Sequence, residues 1–447
     1  MLQETENPLA VSPRDTEHSR YFNGEDPIGS MLAFQACVAQ GTSTRPPLES
    51  PDSGTNSRFR QPATASQNAD GHSIGFDQWG KIAGGIRQRM EAVSACLNEI
   101  FIQRSIPAFL SRSQPVLRLL RSMSEQIGNV SRTSITWGWL ASTDLYVAND
   151  GQILVMDQNL SAPTGMELLS RLRVGGHVES AIGVIDLHRR LAESAMLKSG
   201  VSDTSTAVVL DPCRFNPTFR ENESLARAIS FPIVQPGDLV VTKSGVELVN
   251  ATKRTRVHAI VRRIDDDLLD PNSFRPDSLV GLPGLCKAWR NGDVNLLNPP
   301  GSCAANIRSF TRLVPTMIRE FLNEDPLLPV AMTEECSDAD TFRELETNPR
   351  KYSVRTNDPL QPGRPYFGDS ATAEQTLSMF RAVRRDPEKF VIRRVLSDGN
   401  QRGFNLRLFS TMGNGFFMPR CGIGRECQSD GGATLAINDD PSAHFVR

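Results

Sequence analysis

Apolar residues recur at helical spacing from Phe76 to Phe109. Trp79, Ile82, Ile86, Met90, Val93, Leu97, Ile100 and Phe101 line one stripe, which predicts a long amphipathic helix closed by Pro107. Leu117 to Ile127 continues helical. The period then changes. Residues 144–148 and 152–158 are apolar, partly alternating runs around Asn149-Asp150-Gly151, a trio that tolerates positive φ, so an antiparallel hairpin is expected. Gly165 to Leu197 reads as helix, interrupted near Gly175-Gly176. Short strands are expected at 207–210, 238–242, 246–249 and 257–264, with a helix over 223–229 between the first two. A further helix spans about 307–322, and the last hundred residues give strands at 352–355, 390–395 and 404–410 around a helix at 373–385. This alternation predicts an α+β fold of α/β-like character, with no internal repeat. Residues 1–72 differ: rich in Ser, Thr, Pro, Asn and Gly, they read as a poorly ordered leader with a helical hint at 28–38, order beginning near Ser73.

A chain of 447 residues is long enough for two or three domains, and its 39% hydrophobic and 22% charged residues are those of a soluble globular protein. The net charge of −2 supplies no global basic field for nucleic acid. Only seven of the 49 basic residues are lysines, so the positive charge is almost all arginine. Eight cysteines are spread without a CxxC, which favours reduced thiols over a disulfide framework. No run reaches the length of a membrane span, and the acidic start lacks the pattern of a secretory signal, so a cytoplasmic location is expected.

The hairpin also carries chemistry. With Asp150-Gly151 as a two-residue turn, Asp144 falls directly across from Asp157, and Asn159 shares the face of Asp157 because it lies two residues on. Three oxygen ligands would then converge as a hard cation such as Mg²⁺ requires; the alternative is a solvated polar face. Three other segments are dense in polar groups. Residues 258–285 run a strand through Arg262-Arg263 into Asp265-Asp266-Asp267, with the two arginines on opposite faces. Residues 403–425 carry Arg407, Arg420 and Arg425 among glycines, and 352–370 form a strand followed by a Gly/Pro loop. A planar guanidinium suits carboxylate or phosphate, although charged strand ends also make local ion pairs. No P-loop, GxSxG elbow or HExxH motif occurs.

Together and in order, FDQWGKIAGGIRQRMEAVSACLNEIF, STDLYVANDGQILVMDQNLSAPTGMELLSRLR and VHAIVRRIDDDLLDPNSFRPDSLVGLPGL resemble the circularly permuted type 2 ATP-grasp family, relatives of the glutathionylspermidine synthetase ligase domain, over about residues 74–435. The resemblance implies two subdomains enclosing a nucleotide cleft (nucleotide-binding half at about 345–435, tail at 436–447). It also implies an ADP-forming ligase in which ATP phosphorylates a small-molecule or peptide carboxylate and an amine attacks the acyl phosphate. On it, Asp144, Asp157 and Asn159 are the Mg²⁺ ligands, and Arg262, Arg263 and Arg407 are catalytic candidates. Arg355, Gly363, Arg393 and Arg425 fall to the nucleotide. The nucleotide half departs from the family pattern. A phosphate-binding lysine is replaced by Arg355, the hinge Glu is lost at Val391-Ile392-Arg393-Arg394, and two prolines stiffen the loop Gln361-Pro362-Gly363-Arg364-Pro365. A degenerate relative that binds nucleotide, peptide or a partner without turnover is therefore the second reading.

Overall fold

The computed structural model describes residues 73–131, 135–172, 178–197, 206–358, 365–395, 403–426 and 443–446, so the leader, its 28–38 helix and Gly363 lie outside the described residues. The long helix spans Phe76–Phe101 and buries Trp79, Ile82, Ile86, Met90, Val93 and Leu97 as the stripe demands. It stops short of Phe109. Arg104 adopts a left-handed φ of 61° and turns its guanidinium onto Ser124 Oγ at 2.7 Å, and a residue before proline disfavours helix in any case. The next helix, Gln114–Ile127, is capped by Ser113 Oγ, which accepts from the Val116 amide, and it ends at Gly128 with φ 71°.

Five antiparallel strands form the main sheet, in the order 443–446, 422–426, 403–410, 141–148 and 153–159. Its outermost strand lies within the stretch expected as a tail. One face meets the long helix, where Gln158 Nε2 reaches Met90 Sδ at 3.0 Å. The other face packs Phe409, Cys421 and Ile423 against Leu169, Leu187 and Leu191 of the helices Met166–Leu172 and Val178–Leu197. Asp144 and Asp157 share this second face, further along the strands.

A parallel sheet runs 233–234, 207–210, 259–262 and 295–297. The single strand expected over 257–264 is two strands. Arg254–Val257 ends a three-stranded antiparallel sheet, and Ala259–Arg262 belongs to the parallel one. The switch falls at His258, whose amide donates to the Thr206 carbonyl at 2.8 Å. The helix expected over 307–322 is α-helical over Arg308–Met317 and continues as a π turn over Ile318–Leu322 after Pro315, which has no N–H to give the ladder.

A fourth sheet orders strands 333–335, 390–394, 352–356 and 366–367. Val354, Ile392 and Tyr366 pack on Leu345, Met379 and Val383 of two covering helices, Ala339–Thr347 and Ala373–Arg385. The second begins with the Thr372/Gln375 capping box. Period-2 alternation then sends Ser353, Arg355 and Arg393 to the opposite face. Among the described residues no helix is long and apolar enough to cross a membrane, and six cysteines are free.

Gly368 closes this small sheet: its amide donates to the Tyr352 carbonyl, and an added Cβ would lie 1.9 Å from the Pro349 oxygen and 2.7 Å from the Tyr352 oxygen. Backbone atoms cannot step aside as side chains do. Gly368→Ala is expected to lower unfolding free energy by about 2–3 kcal/mol, read from the midpoint of urea denaturation.

Candidate functional site

The hairpin brings Asp144 opposite Asp157, by a route other than a two-residue turn. Ala148 N donates to Gln152 O, so the turn holds three residues, Asn149-Asp150-Gly151, and Gly151 takes φ 84°. That shifts the pairing by one: Val147 faces Ile153 and Leu145 faces Val155. A bulge at Met156 then shifts it back, and Asp144 pairs with Asp157 and Ser142 with Asn159.

Both carboxylates are met by arginines. Arg407, cross-strand neighbour of Asp144, donates from Nε to Oδ1 and from Nη2 to Oδ2, each at 2.6 Å. Arg393 reaches over from the small sheet and donates to both oxygens of Asp157, at 2.8 and 3.2 Å, while holding the Met156 carbonyl and Thr333 Oγ1. Arg308 Nε lies 3.4 Å from Asp157 Oδ1. Burial pushes the Asp157 carboxyl up, but Arg393, Arg308 and Arg355 outweigh it and hold the group well below the usual carboxylate range. Arg355 shares the face of Arg393, with its guanidinium 5.6 Å from the centre of the Phe367 ring. Burial and the neighbouring Arg393 push Arg355 down to about 9, so it remains charged at neutral pH. Four guanidiniums thus converge on two carboxylates. Asp358 near Arg308 and Glu221 near Arg407 are the next negative charges out.

Asn159 Oδ1 accepts from the Ser161 amide at 2.9 Å, which starts the loop 161–165. That loop is clasped from both sides: Arg407 donates to Thr164 O, Arg263 donates to Pro163 O, and Glu221 accepts from the amides of Gly165 and Met166. Arg263 also donates to Asn222 Oδ1 at 2.6 Å. Arg262 points the other way and is wholly enclosed. It bonds the carbonyls of Asn298, Ile264 and Pro299 and the hydroxyl of Ser302, and it pairs with Asp266 at 2.5 Å. Asp266 in turn accepts from the Gly301 amide. Of the three consecutive aspartates, Asp265 is the half-buried one beside the loop, 3.5 Å from Ser161 Oγ, and Asp267 is exposed. Desolvation, against the pull of Arg262, raises the Asp265 carboxyl to about 6. Arg425 stands one strand beyond Arg407, paired with Asn405 and half-buried.

Among the sequence candidates, Asp144, Asp157, Arg355, Arg393 and Arg407 come together; Arg262 is enclosed elsewhere, and Arg263 reaches the site through the loop. Arg308 joins them unannounced. Its signal was local: a basic residue in the first turn of a helix opposes the macrodipole, so it needs another reason to be there. That helix is capped from afar, Asn357 O and Oδ1 accepting from the Arg308 and Ser309 amides. The arginine cradle suits phosphate oxygens. A divalent cation fits it poorly, because all four carboxylate oxygens and Asn159 Oδ1 already accept N–H bonds, and no group of three or more acidic, His or Cys side chains placed to hold a metal ion occurs among the described residues.

Two outcomes follow for stability. Asp157→Asn is expected to cost about 2 kcal/mol at pH 7. Because the folded carboxyl titrates below its unfolded value of 3.8, Asp157 stabilises above that value, and the gap between wild type and variant should close as pH falls below about 4. Arg262→Ala, which strands buried Asp266, is expected to cost about 3 kcal/mol or more in the same urea titration.

Residues 73–425 match the family described as circularly permuted ATP-grasp type 2. An uncharacterized protein of Synechocystis is 25% identical over 72% of this chain and 68% of its own length. An uncharacterized protein of Mycobacterium bovis is 27% identical over 71% of this chain and 59% of its own. A Frankia alni protein named "Putative glutamate--cysteine ligase 2-3" is 24% identical over 72% of this chain and 39% of its own. This chain thus spans about two thirds or less of the length of these relatives. The match across residues 73–425, most of the chain, places this chain in the circularly permuted type 2 ATP-grasp family.

Proposed function

We propose that the arginine-lined region where the small sheet meets the hairpin binds the phosphates of ATP and serves an ADP-forming ligation of a carboxylate to an amine. The observation that carries this reading is the convergence of Arg308, Arg355, Arg393 and Arg407, from four separate elements, on one hairpin face. Guanidinium forks held in place before the ligand arrives stabilise phosphoryl charge without reorganisation. Bound ATP supplies the phosphoryl group that activates a carboxylate. Arg407 and Arg263, clasping opposite ends of the 163–164 stretch, position the loop beside which that carboxylate would lie. Asp265, at the same loop, would hold the amine and take its proton. The ligase name of the Frankia relative, which matches over 39% of that protein, points to the same carboxylate–amine class. Location in the cytoplasm belongs to this proposal.

The replacement of the family's phosphate-binding lysine by Arg355 favours a second reading, nucleotide binding without turnover. ADP release in the presence of mixed amino acids and amines separates the two: steady release supports the ligase, and analogue binding with no release leaves binding alone. Arg355→Met is expected to weaken nucleotide binding about tenfold. In the ligase, turnover should rise as pH climbs through about 6, where Asp265 ionises, and Asp265→Asn should remove that inflection and lower the plateau. A pH profile unchanged in Asp265→Asn would contradict the role given to this carboxylate.

A further inference from the structure

We infer that the arginine cradle takes polyphosphate without a divalent cation, the Arg393 guanidinium occupying the place between hairpin carboxylate and phosphate. The inference rests on the nucleotide reading above and specifies the charge that the site itself provides. Asp144 spends both oxygens on Arg407, at 2.6 Å each. Asp157 spends both on Arg393, with Arg308 beside one of them. The third oxygen donor of the hairpin, Asn159 Oδ1, is turned into its own loop by the Ser161 amide. A six-coordinate cation would meet only the lone pairs that the two bidentate arginines leave, and Arg393 is fixed further by the Met156 carbonyl and the Thr333 hydroxyl.

Charge runs the same way. Four largely buried guanidiniums stand around the two hairpin carboxylates, with Asp358 and Glu221 further out, so an added dication would approach donors that cations already face, where interaction energies exceed those in water several-fold. Arg393 sits on the same sheet face as Arg355, and two neighbouring guanidiniums can meet phosphate oxygens as a bridging cation would. Burial, and after it the neighbouring Arg393, lowers the proton affinity of Arg308 and Arg355, against the pull of Asp157.

The test is calorimetric titration of the full chain with a non-hydrolysable ATP analogue and with inorganic tripolyphosphate, each in EDTA and in Mg²⁺. The expected result is an affinity in EDTA within about threefold of that in Mg²⁺ for both ligands. Two variants sharpen it. Arg393→Ala should lose at least about tenfold in EDTA and gain a dependence on Mg²⁺ as Asp157 is released. Asp157→Asn, which frees Arg393 and removes a negative charge, should bind tripolyphosphate more tightly in EDTA, whereas a metal-ligand role predicts that binding in Mg²⁺ is lost. Wild-type binding that appears only with Mg²⁺, or a loss of about tenfold in Asp157→Asn, overturns the inference and leaves the nucleotide reading standing. No binding in either medium overturns the nucleotide reading itself, and this inference with it.

Discussion

The bidentate pair between Arg393 and Asp157 joins the small sheet to the hairpin, and Arg393 adds a bond to the Met156 carbonyl. Arg393 belongs to a small sheet whose apolar face is covered by its own helices, and Asp157 belongs to the hairpin of the main sheet. Burying a guanidinium is costly unless it is paired, so the small sheet is held where its arginines meet hairpin carboxylates. Arg308 reinforces the join from the helix side, and Asn357, just past the 352–356 strand, caps that helix. The same arrangement gathers four guanidiniums around two carboxylates, and the proposal that an anion binds there rests on it.

Much of this was legible in the residues. Period-2 alternation and the Asn-Asp-Gly turn gave the hairpin, and the pairing of Asp144 with Asp157 came out as read. It did so through two departures that cancel, a three-residue turn and a compensating bulge at Met156. Composition carries no trace of a bulge, whose position is decided by how side chains on the two faces must register. The helix Ala373–Arg385 was bounded correctly because Thr372 and Gln375 state its start locally. The long helix was drawn past Phe101 because nothing in periodicity reports the left-handed turn at Arg104.

The charged segment 262–267 shows where sequence reasoning stops. Its residues alternate between scaffold and site. Arg262 and Asp266 lock the 298–302 loop, whereas Arg263 and Asp265 turn toward the loop 161–165. Alternation predicts opposite faces for the two arginines, but which face is interior depends on a neighbouring strand and loop far away in sequence. Arg308 went unseen for the related reason that its partner, Asp157, lies 151 residues earlier.

The most direct measurement is a crystal structure of the chain with a non-hydrolysable ATP analogue, grown without divalent cation. Phosphate oxygens are expected within about 3 Å of the guanidiniums of Arg355 and Arg393, with Arg407 still on Asp144. An analogue bound elsewhere with all four arginines unmoved would contradict that expectation.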